Sequence, residues 1–178
     1  MKKIILLSFS LITFFGFSQQ SDTSAPILED RNELKINGLF VILGALEANY
    51  EYIINEESAF GIDALIAFDD ENLDINYYVS PYYRQYFGKK PAAGFFVEGF
   101  GMLNSVEDFI YNDDIVIDFN DRPETVTDFA IGIGTGAKFL TKRGFVAEIS
   151  AGIGRNLFNN DRDFTIVGKG GIKLGYRF

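Results

Sequence analysis

The sequence predicts an all-β fold, an eight-stranded antiparallel up-and-down transmembrane β-barrel. Three observations predict it. Eight segments alternate with period 2, the breaks between them are alternately short and long, and the two faces of each segment differ in a way that suits lipid outside. Period-2 alternation places residues i, i+2 and i+4 on one face of a strand. No segment after residue 20 carries a 3.6-residue apolar period or an apolar run long enough for a membrane helix.

The first element, residues 32–43, sets Leu34, Ile36, Phe40 and Ile42 against Lys35, Asn37 and Leu39. The second, 45–54, sets Leu46, Ala48, Tyr50 and Tyr52 against Glu47, Asn49 and Glu51. In the third, Phe60, Ile62, Ala64, Ile66 and Phe68 oppose Gly61 and Asp63. The fourth, 75–87, has Tyr77, Val79, Pro81 and Tyr83 opposite Asn76, Ser80 and Arg84. Pro81 cannot donate to a ladder, so a bulge or local distortion is expected there. The fifth, 94–104, alternates Phe95 and Val97 with Phe96 and Glu98. The sixth carries Phe129, Ile131, Ile133, Ala137 and Phe139 against Asp128, Gly132, Gly134, Gly136 and Lys138. The seventh carries Phe145, Ala147, Ile149, Ala151 and Ile153 against Glu148, Ser150, Gly152 and Gly154. The eighth runs from Phe164 to Phe178 with Lys169, Gly171, Lys173, Gly175 and Arg177 on its polar face.

Breaks at 55–58, 88–93 and 141–144 are short, and those at 69–74, 104–124 and 156–163 are longer and acidic. Bacterial barrels pair short periplasmic turns with longer extracellular loops. Only the connection near Gly44 is out of step, being external yet very short. The polar face is mostly Gly with isolated charges, which suits a narrow lumen in which most large side chains would not fit. A soluble barrel would instead crowd its water-facing surface with Lys, Glu, Thr and Ser. Aromatic residues cluster at both strand ends: Tyr50, Tyr52, Phe60, Tyr83, Phe87, Phe95, Phe139, Phe145, Tyr176 and Phe178 at one, Phe68, Tyr77, Phe129 and Phe164 at the other. Two such girdles belong at headgroup level.

Residues 1–18 read as a secretory signal peptide: Lys2 and Lys3, an apolar stretch from Ile4 to Phe17, and Gly16 and Ser18 before a cut at Gln19. Residues 19–31 would then form a short periplasmic segment ahead of a 32–178 barrel. A formal charge of −9, more negative still without Lys2 and Lys3, gives nucleic-acid binding no support. The absence of Cys rules out disulfides.

The inward charges are Lys35, Glu47, Glu51, Asp63, Arg84, Glu98, Lys138, Glu148, Lys169, Lys173 and Arg177, five acids and six bases. Buried charges must pair. Taken in strand order, Arg84, Glu98, Lys138, Glu148 and Lys173 alternate in sign, so pairing between neighbouring strands is expected. A proton path or gate is the functional alternative to a salt-bridged plug, and an eight-stranded barrel is just wide enough for side chains to fill. With no His or Cys, Ser80 and Ser150 have no activating imidazole, no catalytic site is expected, and no cofactor or metal site follows. Consecutive carboxylates such as Asp69–Asp70 and Asp113–Asp114 match no Ca²⁺-loop spacing. Loop 104–124 combines acids with Phe109, Tyr111, Ile115, Ile117 and Phe119, an expected hairpin that could meet an extracellular partner.

Together these features resemble small eight-stranded outer-membrane barrels of the OmpA/OmpX architecture, the barrel-only "outer membrane protein beta-barrel domain" type. The resemblance implies a monomer in the outer membrane of a Gram-negative bacterium, in contact with outer-membrane lipid. It also implies that Ile172, Leu174, Tyr176 and Phe178 form the C-terminal signal read by the barrel-insertion machinery. It implies a structural or interaction role in the envelope. A narrow ion or small-solute channel and a soluble periplasmic ligand-binding barrel are the alternatives.

Overall fold

The computed structural model describes residues 30–69, 73, 75–108, 124–158 and 165–178. Eight strands close into one antiparallel up-and-down barrel, each paired with its sequence neighbours and β1 with β8. They are β1 (Asn32–Asn37), β2 (Ala45–Ile53), β3 (Ser58–Ala67), β4 (Ile75–Phe87), β5 (Gly94–Asp108), β6 (Glu124–Leu140), β7 (Phe145–Asn156) and β8 (Ile166–Arg177). Hydrogen bonds between Asn32 and Phe178, N–H to C=O in both directions, finish the closing seam at the terminal end. Closure gives each described strand a partner on both sides, so none is an edge strand.

The first strand differs from the sequence expectation. It stops at Asn37, and Gly38–Ile42 forms a one-turn helix, α1, instead of continuing the strand to residue 43. Asn37 is the reason: its Oδ1 accepts the Leu39 N–H at 3.1 Å, the capping bond that starts a helix. Gly44, at φ +91°, then reverses the chain into β2 and accepts bonds from Phe68 and Asp69 N–H. The connection is therefore 38–44, and the exception in the loop-length parity disappears. Strand β5 runs past residue 104 to Asp108 and pairs with β6 up to Asp108↔Glu124, in the direction of the expected outward hairpin. Residues 109–123, with the expected hairpin tip, lie outside the described residues.

Pro81 does not produce a bulge. The β3–β4 register runs through Ile62↔Pro81 unbroken, and the β4–β5 ladder passes from Val79↔Leu103 to Tyr82↔Phe100 in the same register. Two residue pairs drop out beside the missing N–H, and nothing slips. The register shift in this ladder lies between Ile75 and Tyr77.

Candidate functional site: an ionic lumen between two apolar caps

Burial is inverted relative to a water-soluble protein. Arg84 is 0 % and Lys138 2 % exposed, whereas Ile133 is 72 % and Ile66 61 % exposed. Strand alternation does this directly, since inward positions carry the charges and outward positions carry Ile, Leu, Val, Phe and Tyr. All ten aromatics of the terminal girdle, and Phe68 and Tyr77 of the opposite one, are exposed.

Among the described residues, six acids and six bases join in ion pairs inside. Glu51 on β2 is the hub. It pairs with Lys35 at 3.0 Å, Arg84 at 2.9 Å and Lys138, and accepts from the hydroxyls of Tyr82 at 2.8 Å and Tyr86 at 2.7 Å. Arg84 on β4 also reaches Glu98 at 2.6 Å and crosses to Glu148 on β7 at 2.8 Å. Its guanidinium carbon lies 3.7 Å from the centre of the Phe96 ring. Toward the long-loop end, Lys169 and Lys173 of β8 cross to Asp63 on β3, and Lys173 holds Glu47 at 2.7 Å. Toward the short-turn end, Glu33 accepts from Arg177 and Lys138.

The expected pairing between neighbouring strands is found at Arg84–Glu98, which are also register partners. Neighbouring strands are also joined at Glu33–Arg177, register partners on β1 and β8, and at Lys35–Glu51 on β1 and β2, while most of the other ion pairs cross the lumen. Lys138 is the register partner of Glu148 yet reaches Glu33 and Glu51, and Lys173, also opposite Glu148, reaches Glu47 and Asp63. In so narrow a barrel the far wall is within reach of a Lys or Arg stem. Cross-lumen contacts also tie strands that share no ladder. Glu33, absent from the expected set, is fully buried and turns five acids into six. It sits two residues before Lys35 on the same face, so the period that placed Lys35 inside also places Glu33 there.

The expectation that large side chains do not fit is corrected. Tyr78, Tyr82 and Tyr86 of β4 and Phe96 and Phe100 of β5 all point inward and are buried. Glycines on the adjacent strand β6 make the room, Gly132 and Gly136 being the register partners of Phe100 and Phe96. A Cβ on Gly132 would lie 2.3 Å from Phe100 Cζ, and one on Gly136 2.5 Å from Phe96 Cζ. Two apolar clusters result. One joins Ala45, Leu65, Tyr78, Tyr82, Phe100, Met102, Ala130 and Val167, with Phe40 of α1 packed against it. The other joins Ile53, Ala59, Tyr86, Ala92 and Phe96 at the short-turn end. There the β4–β5 turn folds across the mouth, and Arg177 donates to the Pro91 and Ala92 carbonyls at 3.0 and 2.8 Å.

This arrangement binds strands together and offers little to a reaction. Lys169 donates to Ser80 Oγ at 3.4 Å, but an ammonium shared with two carboxylates is the opposite of a serine-activating base. Among the described residues no group of His, Cys, Asp and Glu could hold a metal ion. Ile172, Leu174, Tyr176 and Phe178 form one exposed outward row. Phe109, Tyr111, Ile115, Ile117 and Phe119 lie outside the described residues.

No protein-family model and no curated protein sequence matches the chain. Among solved structures it is similar to the N-terminal β-barrel domain of Pseudomonas aeruginosa OprF. The TM-score is 0.59 at 14 % identity, over 84 % of this chain and 98 % of that one. The Yersinia pestis outer membrane protein Ail, solved in a phospholipid bilayer nanodisc, matches at TM-score 0.39 and 18 % identity, over 84 % of this chain and 100 % of that one. The fold, a closed antiparallel up-and-down barrel of eight strands, is that of the small OmpA/OmpX-like outer-membrane barrels.

Proposed function

We propose that the chain is an integral outer-membrane barrel of a Gram-negative envelope, acting through its surface and loops, with its lumen closed by the ionic network. The inversion of burial carries this reading. Placing Ile133, Ile66 and the two aromatic girdles in water would expose a continuous apolar belt far beyond what a soluble monomer tolerates. In lipid the same belt is matched on every side. A soluble ligand-binding barrel requires the opposite facing. The role is structural or interactive, as a monomer inserted through the C-terminal row, with loop 104–124 as the surface for an extracellular partner.

Fractionation of expressing cells tests the location. A band in the outer-membrane fraction that migrates faster unboiled than boiled on SDS gels is the expected result. Soluble periplasmic protein without a heat-dependent shift would overturn it. Planar-bilayer recording tests the closed lumen. Ion pairs cross the lumen at the level of Arg84, Lys138 and Lys169, and an eight-stranded barrel is just wide enough for side chains to fill, so no steady single-channel conductance is expected. Stable unitary steps would favour the channel.

A further inference from the structure

At the short-turn end of the barrel, two turns are locked together beside the aromatic girdle. The β2–β3 turn, residues 54–57, is braced from within by Asn55, whose Oδ1 accepts the Glu57 N–H at 2.9 Å. The β4–β5 turn, residues 88–93, is tied to it at both ends. Glu57 O accepts the Tyr86 N–H and Glu56 O the Ala92 N–H, both at 2.6 Å. Lys90 leaves in another direction, its Nζ donating to Leu140 O at 3.4 Å.

An open groove of about 470 Å³ lies here, lined by Glu57, Gln85, Tyr86, Phe87, Gly88 and Lys89. That volume falls in the range of sites that hold small ligands. Glu57 lines the groove from one turn and Lys89 from the other. Both are exposed, and no ion pair joins either of them to another described residue. Opposite charges held apart on two fixed turns suit a ligand that carries both. Phe87 sets the depth. It is an exposed girdle residue whose ring centre lies 6.3 Å from that of Phe95. Girdle rings sit at headgroup level, so the groove meets the polar border of a bilayer rather than its hydrocarbon.

The geometry points to a binding site for the phosphoethanolamine headgroup of a phospholipid in the periplasmic leaflet. Lys89 holds the phosphate as a point charge, and Glu57 accepts hydrogen bonds from the primary ammonium. Charge complementarity and depth together name the occupant. A phosphocholine headgroup offers the same phosphate, but its quaternary ammonium has no N–H to donate. A phosphoglycerol headgroup has no cation at all. Glu57 thus selects among lipids that Lys89 attracts alike. The site rests on the outer-membrane reading, and its test keeps the two separable.

The folded barrel is reconstituted in vesicles of equal parts phosphatidylethanolamine and phosphatidylcholine, extracted in mild detergent, and its retained lipids are identified by native mass spectrometry. Phosphatidylethanolamine adducts are expected to exceed phosphatidylcholine adducts about threefold to fivefold, the size of an exposed ion pair. Glu57→Gln brings the ratio to parity and leaves phosphatidylcholine retention unchanged. Lys89→Ala weakens both adducts alike. The bonds that join the turns use backbone atoms, so both variants keep the fold, which the heat-dependent gel shift reads. Parity in the unmodified barrel, or a preference that survives Glu57→Gln, would overturn the site and leave the barrel standing. Loss of the gel shift in the unmodified protein would overturn the membrane reading, and the site with it.

Discussion

Arg84→Ala lowers the unfolding free energy of the barrel by about 3–5 kcal/mol, the cost of breaking a buried ion pair from one side. The guanidinium serves Glu51, Glu98 and Glu148 on three different strands, and all three carboxylates are buried. Alanine leaves them facing one another in a low-dielectric lumen with Lys35, Lys138 and Lys169 as remaining partners. The loss has two parts, packing against Tyr82, Tyr86 and Phe96 and uncompensated negative charge. A second substitution separates them. Glu148→Gln in the Arg84→Ala background removes one stranded charge and restores part of the stability, although by itself it deprives Lys35 and Arg84 of a partner. Urea unfolding in detergent micelles, followed by the heat-dependent gel shift, reads both effects. An Arg84→Ala barrel that unfolds at the parent midpoint would show that the cross-lumen pairs contribute nothing.

The facing of the strands was legible because it depends on one number, the period of 2. Once Arg84 is inward, Tyr82 and Tyr86 are inward too, and the same holds for Lys35, Glu33 and Asn37. What lies across the lumen is set by barrel closure and stagger, and no single strand's pattern encodes it. Lys138 illustrates this. Its neighbour on the wall is Glu148, but its partners are Glu33 and Glu51, more than eighty residues away in sequence. The early end of β1 was hidden for a different reason. Leu39, Phe40, Val41 and Ile42 are apolar whether the segment is strand or helix, and such a short run cannot distinguish the two. The signals available were Asn37, a good helix cap, directly before the run, and Gly44 after it. Partner loop 104–124 rested on its composition and on the alternation in 114–120, and only its bases, Asn104–Asp108 and Glu124, fall in the strands described.

The glycines of β6 and β7 carry the second large effect. Gly132→Ala destabilises the barrel by about 3 kcal/mol, the upper part of the usual range for overpacking. Its added Cβ would lie 2.3 Å from Phe100 Cζ, 2.5 Å from Ile153 O and 2.7 Å from Gly154 Cα, so neither the ring nor the neighbouring strand can give way alone. The ring accounts for only part of the clash. Phe100→Ala by itself opens a void in the apolar cap and costs about 3–5 kcal/mol. In the double variant the new methyl group enters the space the ring has left, so the two losses fall short of additive by about 1 kcal/mol or more. What remains is the backbone contact with Ile153 and Gly154. Gly99→Ala is the control: a Cβ there meets nothing within 4 Å, and the change stays within about 0.5 kcal/mol. Strict additivity in this cycle would break the complementarity between the glycine arc and the aromatic arc, leaving the small residues of the lumen without a packing reason. Non-additivity would show that β4–β5 and β6–β7 act as two halves of one filled interior, in which aromatic rings occupy the volume that glycine leaves and the ion pairs bridge between them.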